Sequence, residues 1–424
     1  MEFRAPRGTR DILPSEIGRW QHLESCFQEL CRLHGFEEIR TPLFEHTELF
    51  SRSVGEESDI VSKEMYTFLD RGGRQVTLRP EGTAPVVRAY LQRGLASQPQ
   101  PVKLYYYGPM FRYDRPQAGR YRQFHQVGVE MYGAGTPAAD LEVISLCTSF
   151  FNRLGVNGAE LQLNSVGCSR CRPPYRERLV SFLKPREELL CADCRRRHRE
   201  NPLRVLDCKR PGCRRAITGA PLLAEYLCRE CSEHFLALLR LLDRSNIPYR
   251  ENPYLVRGLD YYTRTAFEFV PREGNDSGSL GGGGRYDDLV EYCGGPATPA
   301  VGVALGVERI LLAMGEPEGD RYSPGVYIAC APGEEEAEVE ALSLARELRD
   351  LGVVAEPELT GRSLRGQLKL ANRKGYRRVI IIGPRELEQG LFTLRDMVGG
   401  SQREYSRSDL LAEVTRPVSG PNSE

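Results

Sequence analysis

Polar and aromatic residues capable of chemistry interrupt an apolar stretch, "LVRGLDYYTRTAFEF", at residues 255–269. Its polar members are Arg257, Asp260, Tyr261, Tyr262 and Arg264. The apolar ends predict a strand held in a sheet, whereas charges at the centre are costly to bury without partners and indicate a binding or catalytic site. Because side chains alternate along a strand, Arg257 and Tyr262 can face one site only if the backbone bends, and we expect the bend at Gly258.

A second dense group of such residues lies in "GPMFRYDRPQAGRYRQFHQVGVEMYG", residues 108–133. Arg112 ends one predicted strand, and after a loop a second strand carries Phe124, Gln126 and Glu130, whose even spacing places them on one face. An aromatic ring beside amides and arginines can stack a base and bind phosphate. A solvated face with structural salt bridges is the alternative, and the residues alone do not decide between the two.

A carboxylate and a hydroxyl flank a glycine in "RPEGTAPVVRAYL", where Glu81, Gly82 and Thr83 come just before a helical run. Such a pair can hold the ammonium group of a ligand. The same residue types also cap helices, and taken alone the pair favours that interpretation.

Glycines dominate a third stretch, "GSLGGGGRYDDLV" at residues 278–290, which predicts permissive backbone leading into a helix. It lacks the Lys-Ser/Thr pair of a phosphate-binding loop, so a ligand could approach its main chain, or it could form a mobile hairpin turn. In "GVALGVERILL", Arg309 lies in an apolar helix, and its side chain either extends to the surface or points into a site.

Cysteines form a separate pattern. Eight of the thirteen cysteines lie between residues 168 and 231 in close pairs. The pairs are Cys168 with Cys171, Cys191 with Cys194, Cys208 with Cys213, and Cys228 with Cys231. This spacing indicates two four-cysteine zinc sites, with three ways of combining the pairs. Reduced structural thiols left from an ancestral site, or disulfides of a thermophilic protein, are the alternatives.

The elements that must position these residues suggest two or three domains in 424 residues. An amphipathic helix is predicted over 15–34, and the strand-rich text of 36–162 lacks regular helices, which favours an antiparallel sheet. The cysteine-rich segment 167–235 interrupts these strands as an insertion. After a Gly- and Pro-rich break at 315–325, a β-α-β-α-β order predicts a small, mostly parallel sheet with helices on its faces.

Charge and hydropathy narrow the class of protein. The formal net charge is zero, with 58 basic and 58 acidic residues, so a nucleic-acid partner requires a local basic patch. Residues 168–215 provide one, with fifteen Lys or Arg against six acidic residues. No apolar run approaches the roughly 18 residues that span a bilayer, and "MEFRAPRGTRDILP" has no hydrophobic signal core. We therefore expect a cytoplasmic protein without a membrane segment.

Taken together, these stretches resemble the class II aminoacyl-tRNA synthetases. The segment "FEEIRTPLFE" is similar to their dimer-forming motif 1, the hairpin "FRYDRPQAGRYRQFHQVGVE" to motif 2, and "GVALGVERILL" to motif 3. Within that class, "LVRGLDYYTRTAFE" and "GGGGRYDDL" resemble the two motifs specific to histidyl-tRNA synthetases of the bacterial type. The resemblance extends from "PRGTRDILP" to the α/β tail.

The resemblance implies an α+β catalytic domain over residues 1–322, built on an antiparallel sheet of the class II synthetase type. The inserted Cys-rich domain, 167–235, would face the acceptor stem of tRNA, and the α/β domain of 325–424 would bind the anticodon. The basic stretch "RSLRGQLKLANRKGYRR" could meet RNA phosphates there, or form a solvated helix face.

The implied activity is that of a histidine–tRNA ligase acting as a cytoplasmic homodimer. L-histidine would react with ATP and Mg²⁺ to give histidyl-adenylate and pyrophosphate, and histidine would then pass to the 3′ end of tRNA(His). Structural Zn²⁺ is a further possible cofactor. The alternative is a synthetase-like regulatory subunit of the ATP phosphoribosyltransferase of histidine biosynthesis, which charges no tRNA.

The resemblance also implies roles for individual residues. Arg112 and Arg257 would act in catalysis from opposite sides of the α-phosphate of ATP. The residues implied in ATP binding are Arg112, Phe124, Glu130 and Arg309. The residues implied in histidine binding are Glu81, Gly82, Thr83, Gln126, Glu130, Arg257, Tyr261, Tyr262 and Tyr286.

Overall fold

The structure, a computed structural model, describes residues 3–55, 58–271, 278–315 and 323–416. The chain divides into two units, Met1–Gly315 and Glu316–Glu424. Most of the predicted break at 315–325 lies outside the described residues.

An eight-stranded sheet is the frame of the first unit, within the residues described. The strands of this unit, in chain order, are β1 (Glu37–Glu38), β2 (Phe44–His46), β3 (Tyr66–Leu69), β4 (Gln75–Leu78), β5 (Val102–Phe111), β6 (Gln123–Tyr132), β7 (Ala159–Ser165), β8 (Tyr249–Glu251), β9 (Thr263–Pro271), β10 (Gly281–Arg285) and β11 (Ala300–Gly306). The large sheet has the order β1-β5-β6-β11-β10-β9-β7-β8, and β2, β4 and β3 form a small separate sheet. The pairs at its two ends, β1–β5 and β7–β8, are parallel, and the other pairs are antiparallel. The predicted antiparallel sheet is therefore confirmed, with parallel strands added at the edges.

Helices cover one face of this sheet. The helices of the first unit are α1 (Pro14–Leu33), α2 (Thr47–Val54), α3 (Thr83–Gln92), α4 (Pro137–Arg153), α5 (Arg172–Leu183), α6 (Ala192–Glu200), α7 (Pro211–Ile217), α8 (Arg229–Arg244), α9 (Leu289–Tyr292) and α10 (Val307–Ala313). Trp20 and Phe27 of α1, Ile144 of α4 and Leu238 of α8 share one core with Val129 of β6. The helix predicted over 15–34 is confirmed as α1.

The opposite face of the sheet carries a second core, which joins the sheet to the insertion. Tyr106 of β5 and Tyr132 of β6 lie in this core together with Leu179 and Leu183 of α5. Because side chains alternate along a strand, β6 contributes odd-numbered residues to the helix-covered face and even-numbered residues to this one. The face with the even-numbered residues is the one that carries the candidate site.

The strand predicted over 255–269 is wrong in its first half. Residues 255–262 form an irregular loop with a bend at Gly258 and Leu259, and β9 begins only at Thr263. The bend that we expected at Gly258 is therefore confirmed. Of its polar members, Arg257, Asp260, Tyr261 and Tyr262 stay outside the sheet. Arg264, whose φ is 50°, lies in β9, just before the register with β7 begins at Thr265.

The glycine-rich run is a second correction, because residues 281–285 form β10 in the middle of the large sheet instead of a loop or hairpin turn. Glycine has a low strand propensity, so the sequence pattern pointed away from this. The neighbouring strands explain the choice: a Cβ at Gly283 would lie 2.0 Å from the carbonyl oxygen of Gly302, and one at Gly282 would lie 2.5 Å from that of Phe267. Only glycine fits at Gly282 and Gly283 of this strand.

The second unit is a smaller sheet with helices. Its strands are β12 (Ser323–Cys330), β13 (Ala355–Pro357), β14 (Tyr376–Ile382), β15 (Leu391–Asp396) and β16 (Gln402–Ser406), and its helices are α11 (Glu335–Asp350), α12 (Leu364–Arg373), α13 (Pro384–Gln389) and α14 (Arg407–Thr415). The order is β13-β12-β14-β15-β16. The three strands predicted from the pattern pair in parallel, but β15 and β16 add antiparallel pairs. The sheet is thus mixed. The prediction of a mostly parallel sheet was wrong for its last two strands, β15 and β16.

Within the residues described, no helix is both long enough and apolar enough to cross a bilayer.

Candidate active site

A cavity of about 220 Å³ opens on the face of the sheet formed by β6, β10 and β11, beside the 255–262 loop. The predicted residues that line it are Glu81, Thr83, Arg112, Phe124, Gln126, Arg257, Tyr261, Tyr262, Tyr286 and Arg309. These residues come from five separate stretches of the chain. Gly82 and Glu130 are the predicted residues that are not part of the described lining.

Arg112 and Arg309 are cations held by main-chain carbonyl groups. Nε of Arg112 donates to the oxygen of Pro80 at 2.7 Å, and Nη1 of Arg309 donates to that of Ser279 at 2.6 Å. Burial lowers the pKa of Arg112, and burial together with the nearby Arg112 and Arg120 lowers the pKa of Arg309. Desolvated cations placed near each other are short of negative charge, which favours an anionic ligand.

Arg257 reaches the same cavity from the 255–262 loop. Its Nη1 lies 3.1 Å from Oε1 of Glu268, and its buried Nε has no hydrogen-bond partner among the described residues. A Cβ at Gly282 would lie 2.8 Å from this Nη1. The missing side chains of β10 therefore create the space in which the guanidinium lies.

Glu81 caps a helix and lines the cavity at the same time. Its carboxylate accepts hydrogen bonds from the backbone N–H groups of Thr83 and Ala84, both at 2.8 Å. Burial raises its pKa, and those two N–H groups and Arg112 oppose the rise. The helix-capping and the ligand-binding interpretations of Glu81 are thus compatible. The helix N-terminus holds the carboxylate in place at the cavity wall.

Gly82 lies behind that wall, against the ring of Tyr106. A Cβ at Gly82 would lie 2.3 Å from this ring, and one at Gly128 on β6 would lie 2.4 Å from its hydroxyl oxygen. The two glycines therefore form a slot for the tyrosine. Any larger residue at Gly82 would displace Tyr106 and the neighbouring Glu81.

Glu130 is fully buried behind the wall. Thr83 donates from Oγ1 to its Oε1 at 2.7 Å, and the hydroxyl of Tyr286 donates to its Oε2. Burial raises the pKa of Glu130 to about 8, although the hydroxyls of Tyr286 and Thr83 stabilise its charged form. Both hydroxyls belong to residues that line the cavity, so Glu130 sets how they present their lone pairs to a ligand.

Aromatic rings and an amide complete the wall. The ring of Tyr261 lies 4.7 Å from that of Tyr262 and 5.6 Å from that of Tyr286. The Oε1 atom of Gln126 is buried with no hydrogen-bond partner in the described chain. An unsatisfied buried amide is costly, so this atom is placed for a ligand. Arg112 lies 5.3 Å above the ring of Phe124, which fixes one face of that ring.

Three carboxylates of the cavity, Asp114, Glu268 and Glu308, were missed by the sequence analysis. Glu268 pairs with Arg257, and Glu308 accepts the backbone N–H of His125 at 2.9 Å and lies 3.0 Å from its Nδ1. Glu268 lay within the stretch quoted first, and Glu308 directly precedes Arg309. An acidic residue in an otherwise apolar run was the available signal.

The eight insertion cysteines form two groups in the structure. The sulfurs of Cys168, Cys171, Cys228 and Cys231 lie within 4.8 Å of one another, as do those of Cys191, Cys194, Cys208 and Cys213. All thirteen cysteines are free thiols. Of the three possible combinations, the structure therefore selects the first pair with the fourth and the second with the third.

The spacing within these groups fits a tetrahedral metal. Bonds of about 2.3 Å to a central ion place sulfurs at tetrahedral corners about 3.8 Å apart. The Sγ of Cys168 lies 3.6 Å from that of Cys171 and 3.9 Å from that of Cys228. Backbone N–H groups also donate to two sulfurs, from Cys228 to Cys171 at 3.1 Å and from Cys191 to Cys213 at 3.2 Å. Such bonds stabilise thiolates.

Family models, relatives and solved structures similar to this chain all point to the same family. The family model described as histidyl-tRNA synthetase matches residues 8–310, and the one described as anticodon binding domain matches residues 326–416. A histidine–tRNA ligase of Desulforudis audaxviator (strain MP104C) is 56% identical over 423 residues, covering 99% of this chain and 100% of the relative. The crystal structure of apo S. aureus histidyl-tRNA synthetase matches with a TM-score of 0.81 at 37% identity, covering 98% of this chain and 100% of that one. A Bacillus halodurans C protein, described as an ATP phosphoribosyltransferase regulatory subunit/histidyl-tRNA synthetase, matches with a TM-score of 0.66 at 24% identity over 90% and 99% of the chains, which shows similarity of fold alone.

Proposed function

This chain belongs to the histidyl-tRNA synthetase family, and we propose that the cavity described above is where its ligase reaction takes place. As a histidine–tRNA ligase, it joins L-histidine to ATP to give histidyl-adenylate and pyrophosphate, and then transfers histidine to the 3′ end of its tRNA. In the first step a carboxylate oxygen of histidine bonds to the α-phosphorus. The bond from that phosphorus to the oxygen bridging to the β-phosphate breaks.

The observation that carries this proposal is the convergence of Arg112, Arg257 and Arg309 on one cavity. Negative charge builds on the α-phosphate in the transition state, and fixed cations around it lower the barrier. In our proposal Arg112 and Arg257 flank the α-phosphate, and Arg309 holds the terminal phosphates. Phe124 stacks on the adenine opposite Arg309. The attacking carboxylate is already ionised, so this step needs no protein general base.

Histidine-dependent exchange of labelled pyrophosphate into ATP tests this assignment. We expect exchange with histidine and no exchange above background with leucine or phenylalanine, because the polar wall would be left unpaired by an apolar side chain. The regulatory-subunit alternative predicts no exchange, with histidine binding retained. Transfer of labelled histidine to tRNA(His) checks the second step in the same preparation.

The histidine pocket is proposed to lie where Glu81, Gln126 and the tyrosines meet. Glu81 and Thr83 accept hydrogen bonds from the α-ammonium group, and Gln126 donates from Nε2 to the substrate carboxylate, which leaves its buried Oε1 to accept from an N–H of the ligand. Tyr262 and Tyr286 contact the imidazole, which offers one donor and one acceptor. Tyr261 supports them through its ring contacts. Arg257, beside this pocket, links the histidine carboxylate to the phosphate.

Glu130 is proposed to act from behind this wall. Because Thr83 and Tyr286 both donate to its carboxylate, their oxygens offer lone pairs to the ammonium and imidazole N–H groups of histidine. Its predicted role in ATP binding remains a prediction, since no ATP-site residue contacts it among the described hydrogen bonds.

The pH dependence of stability tests the burial of Glu130. Its pKa is about 8 in the folded chain, above the ordinary value of 4.5, so its protonated form is favoured by folding. Its contribution to stability is full below about pH 4.5 and is lost as pH rises through about 8. Glu130→Gln removes this titration, so the free energy of unfolding of wild type should fall relative to the variant by roughly 2–4 kcal/mol between pH 5 and 8.

Urea unfolding followed by tryptophan fluorescence measures this difference. Trp20 is the single tryptophan and is buried in α1, so its signal reports on the first unit. A Glu142→Gln variant is the control, because the pKa of that part-exposed carboxyl is lowered beside Lys103 and its contribution has the opposite sign. A constant difference between wild type and Glu130→Gln across this pH range would contradict the burial of an ionisable group.

Mg²⁺ is proposed to enter with ATP and to screen its β- and γ-phosphates. The carboxylates near the arginines are already paired: Asp114 with Arg120, Glu268 with Arg257, and Glu308 with His125. They leave no dedicated cage among the described residues. The residues therefore fit an ion carried mainly by phosphate oxygens and water, as Mg²⁺ usually is.

Each four-cysteine group is proposed to bind one Zn²⁺. The sulfur separations and the N–H donors described above support this, and closed four-thiolate sites are structural in other proteins. The metals would hold the insertion together without taking part in the ligase chemistry.

RNA contacts are proposed for both units. The insertion, with its fifteen Lys or Arg against six acidic residues over 168–215, would meet the backbone of the acceptor stem. In the second unit, Arg365, Lys369 and Arg373 are exposed on α12, where they could meet phosphates near the anticodon.

A homodimer in the cytoplasm is the proposed working form. The segment similar to motif 1 leads into β2 of the small sheet, and this sheet and its approach leave large apolar side chains exposed. They are Leu43, Phe44, Phe68 and Leu69. Exposed apolar clusters of this kind mark protein interfaces.

A further inference from the structure

A segment of the insertion forms a closed strap behind the active site. We define the strap as residues 195–207, which lie between Cys194 and Cys208. These two cysteines belong to one four-cysteine group, with sulfurs within 4.8 Å of each other. Both ends of the strap are therefore held at one point. Between them it contains the end of α6 and a 3₁₀ turn, Pro202–Val205.

The strap contacts the 255–262 loop through two side chains. Arg204 donates from Nη1 to the carbonyl oxygen of Arg257 at 2.8 Å, and Asn201 donates from Nδ2 to Oδ1 of Asp260 at 2.8 Å. A Cβ on Gly258 would lie 3.4 Å from Nη1 of Arg204, so the guanidinium lies against the bend of the loop. The side chain of Arg204 is only 14% exposed.

The strap also contacts a second edge of the cavity. Arg196 and Arg204 lie 3.6 and 3.8 Å from the carboxylate of Asp59, and Arg197 donates to it. Asp59 directly precedes Ile60, which lines the cavity. The strap is thus attached to two separate segments beside the proposed active site.

The loop lies outside the sheet, and pairing with β7 starts only at Thr265. Other residues hold its two ends: Asn164 donates to the carbonyl oxygen of Leu255 at 2.9 Å, and Arg172 donates to that of Tyr262. Between these ends, the strap supplies the contacts at Arg257 and Asp260, beside one longer main-chain contact of 3.5 Å from Asp260 to Val54. Yet the loop carries Arg257, Tyr261 and Tyr262, which must hold their positions for catalysis. Displacement of a catalytic group by about 1 Å can cost on the order of 100-fold in rate.

We propose that Asn201 and Arg204 are positioning residues that hold the 255–262 loop, so that Arg257 meets the α-phosphate in the transition state. Neither residue lines the cavity among the described residues. The inference rests on the proposed role of Arg257. It assigns to the insertion a part in amino-acid activation, separate from its proposed contact with tRNA.

A double-mutant cycle in the pyrophosphate exchange assay tests this inference. Arg204→Ala is expected to lower kcat by roughly 10- to 100-fold, with a smaller change in the KM for ATP and for histidine. Arg257→Lys provides a background that keeps a cation. In that background Arg204→Ala should cost less than threefold, since both changes remove the same positioned contact. Equal fold-losses in both backgrounds would indicate an independent structural effect and overturn the proposal.

Arg195→Ala is the matched control. Arg195 lies in the same strap and also donates to main-chain carbonyls, but to those of Glu187 and Leu190 inside the insertion. Its loss should leave kcat for pyrophosphate exchange, a reaction that contains no tRNA, within about twofold of wild type. Arg204→Lys, which keeps a donor, should recover part of the loss. A fall in kcat for Arg195→Ala equal to that for Arg204→Ala would refute a specific role.

Hydrogen exchange separates this inference from the role of Arg257. In Arg204→Ala and Asn201→Ala, peptides covering 255–262 should exchange faster than in wild type, whereas those covering β9 should not change. If the loop exchanges faster but kcat is normal, catalysis does not depend on the strap and the positioning role fails; the proposed role of Arg257 fails only if Arg257→Ala itself keeps near-normal exchange. If the wild-type enzyme is active and residues 255–262 of the two variants exchange at the wild-type rate, the positioning role fails.

Discussion

Arg257→Ala is expected to reduce histidine-dependent pyrophosphate exchange by roughly a thousandfold. The guanidinium lies in the cavity with a buried Nε that no described residue satisfies, and with Nη1 beside Glu268. In our proposal a phosphate oxygen takes that position as charge develops. Removing the cation takes away a preorganised donor where water cannot easily replace it. The loss should fall on kcat, because the contact strengthens in the transition state.

Two controls isolate the chemistry of Arg257. Arg250→Ala removes an exposed arginine that pairs with Glu160 at the far strand β8, and exchange should stay near normal. Light scattering and circular dichroism should show that Arg257→Ala keeps the oligomeric state and helix content of wild type. Near-normal exchange by a folded Arg257→Ala protein would refute the phosphate role.

Cys208→Ala is expected to have the largest effect on stability. Structural zinc in small domains contributes about 10–16 kcal/mol of apparent binding free energy, and that energy is folding free energy where the site forms only in the native state. Cys208 closes one end of the strap. Loss of the Cys208 thiolate should release the metal proposed for its four-cysteine group and loosen the strap. The group containing Cys168 should keep its metal.

Metal analysis of purified protein gives the direct measurement. Wild type should contain about two zinc ions per chain and Cys208→Ala about one. Cys26→Ala is the matched control, because Cys26 is also half-buried but lies in α1, outside both groups. Limited proteolysis should cut the insertion faster in Cys208→Ala and not in the control. A wild-type protein free of metal, although purified with zinc present, would instead favour reduced structural thiols.

Most of the residues predicted for the site line one cavity, and local patterns along the chain account for several of them. Period-two alternation placed Phe124 and Gln126 on one face of β6, and both line the cavity. Helical periodicity and Gly35 defined α1 nearly to the residue. In each case the deciding interaction lies within a few residues along the chain.

Packing between distant segments decided what the sequence missed. The run of glycines is a strand because β9 and β11 come too close for any side chain, and glycine's own preference pointed the other way. Residues 255–262 left the sheet, although their apolar ends suggested a strand. Glu268 and Glu308 were visible in the sequence as acidic residues in apolar runs, but their partners Arg257 and His125 were set only by the fold.

By itself the sequence determined the residue types of the site, the hairpin of β5 and β6, helix α1, and the presence of eight paired cysteines. Only the tertiary structure decided which cysteine pairs combine, that Glu130 lies behind the wall, and that the strap meets the 255–262 loop. The physical reason is the separation along the chain over which each kind of interaction acts. Residue chemistry and periodicity act over a few positions, whereas these hydrogen bonds join residues 22 to 60 positions apart, and only folding brings them together.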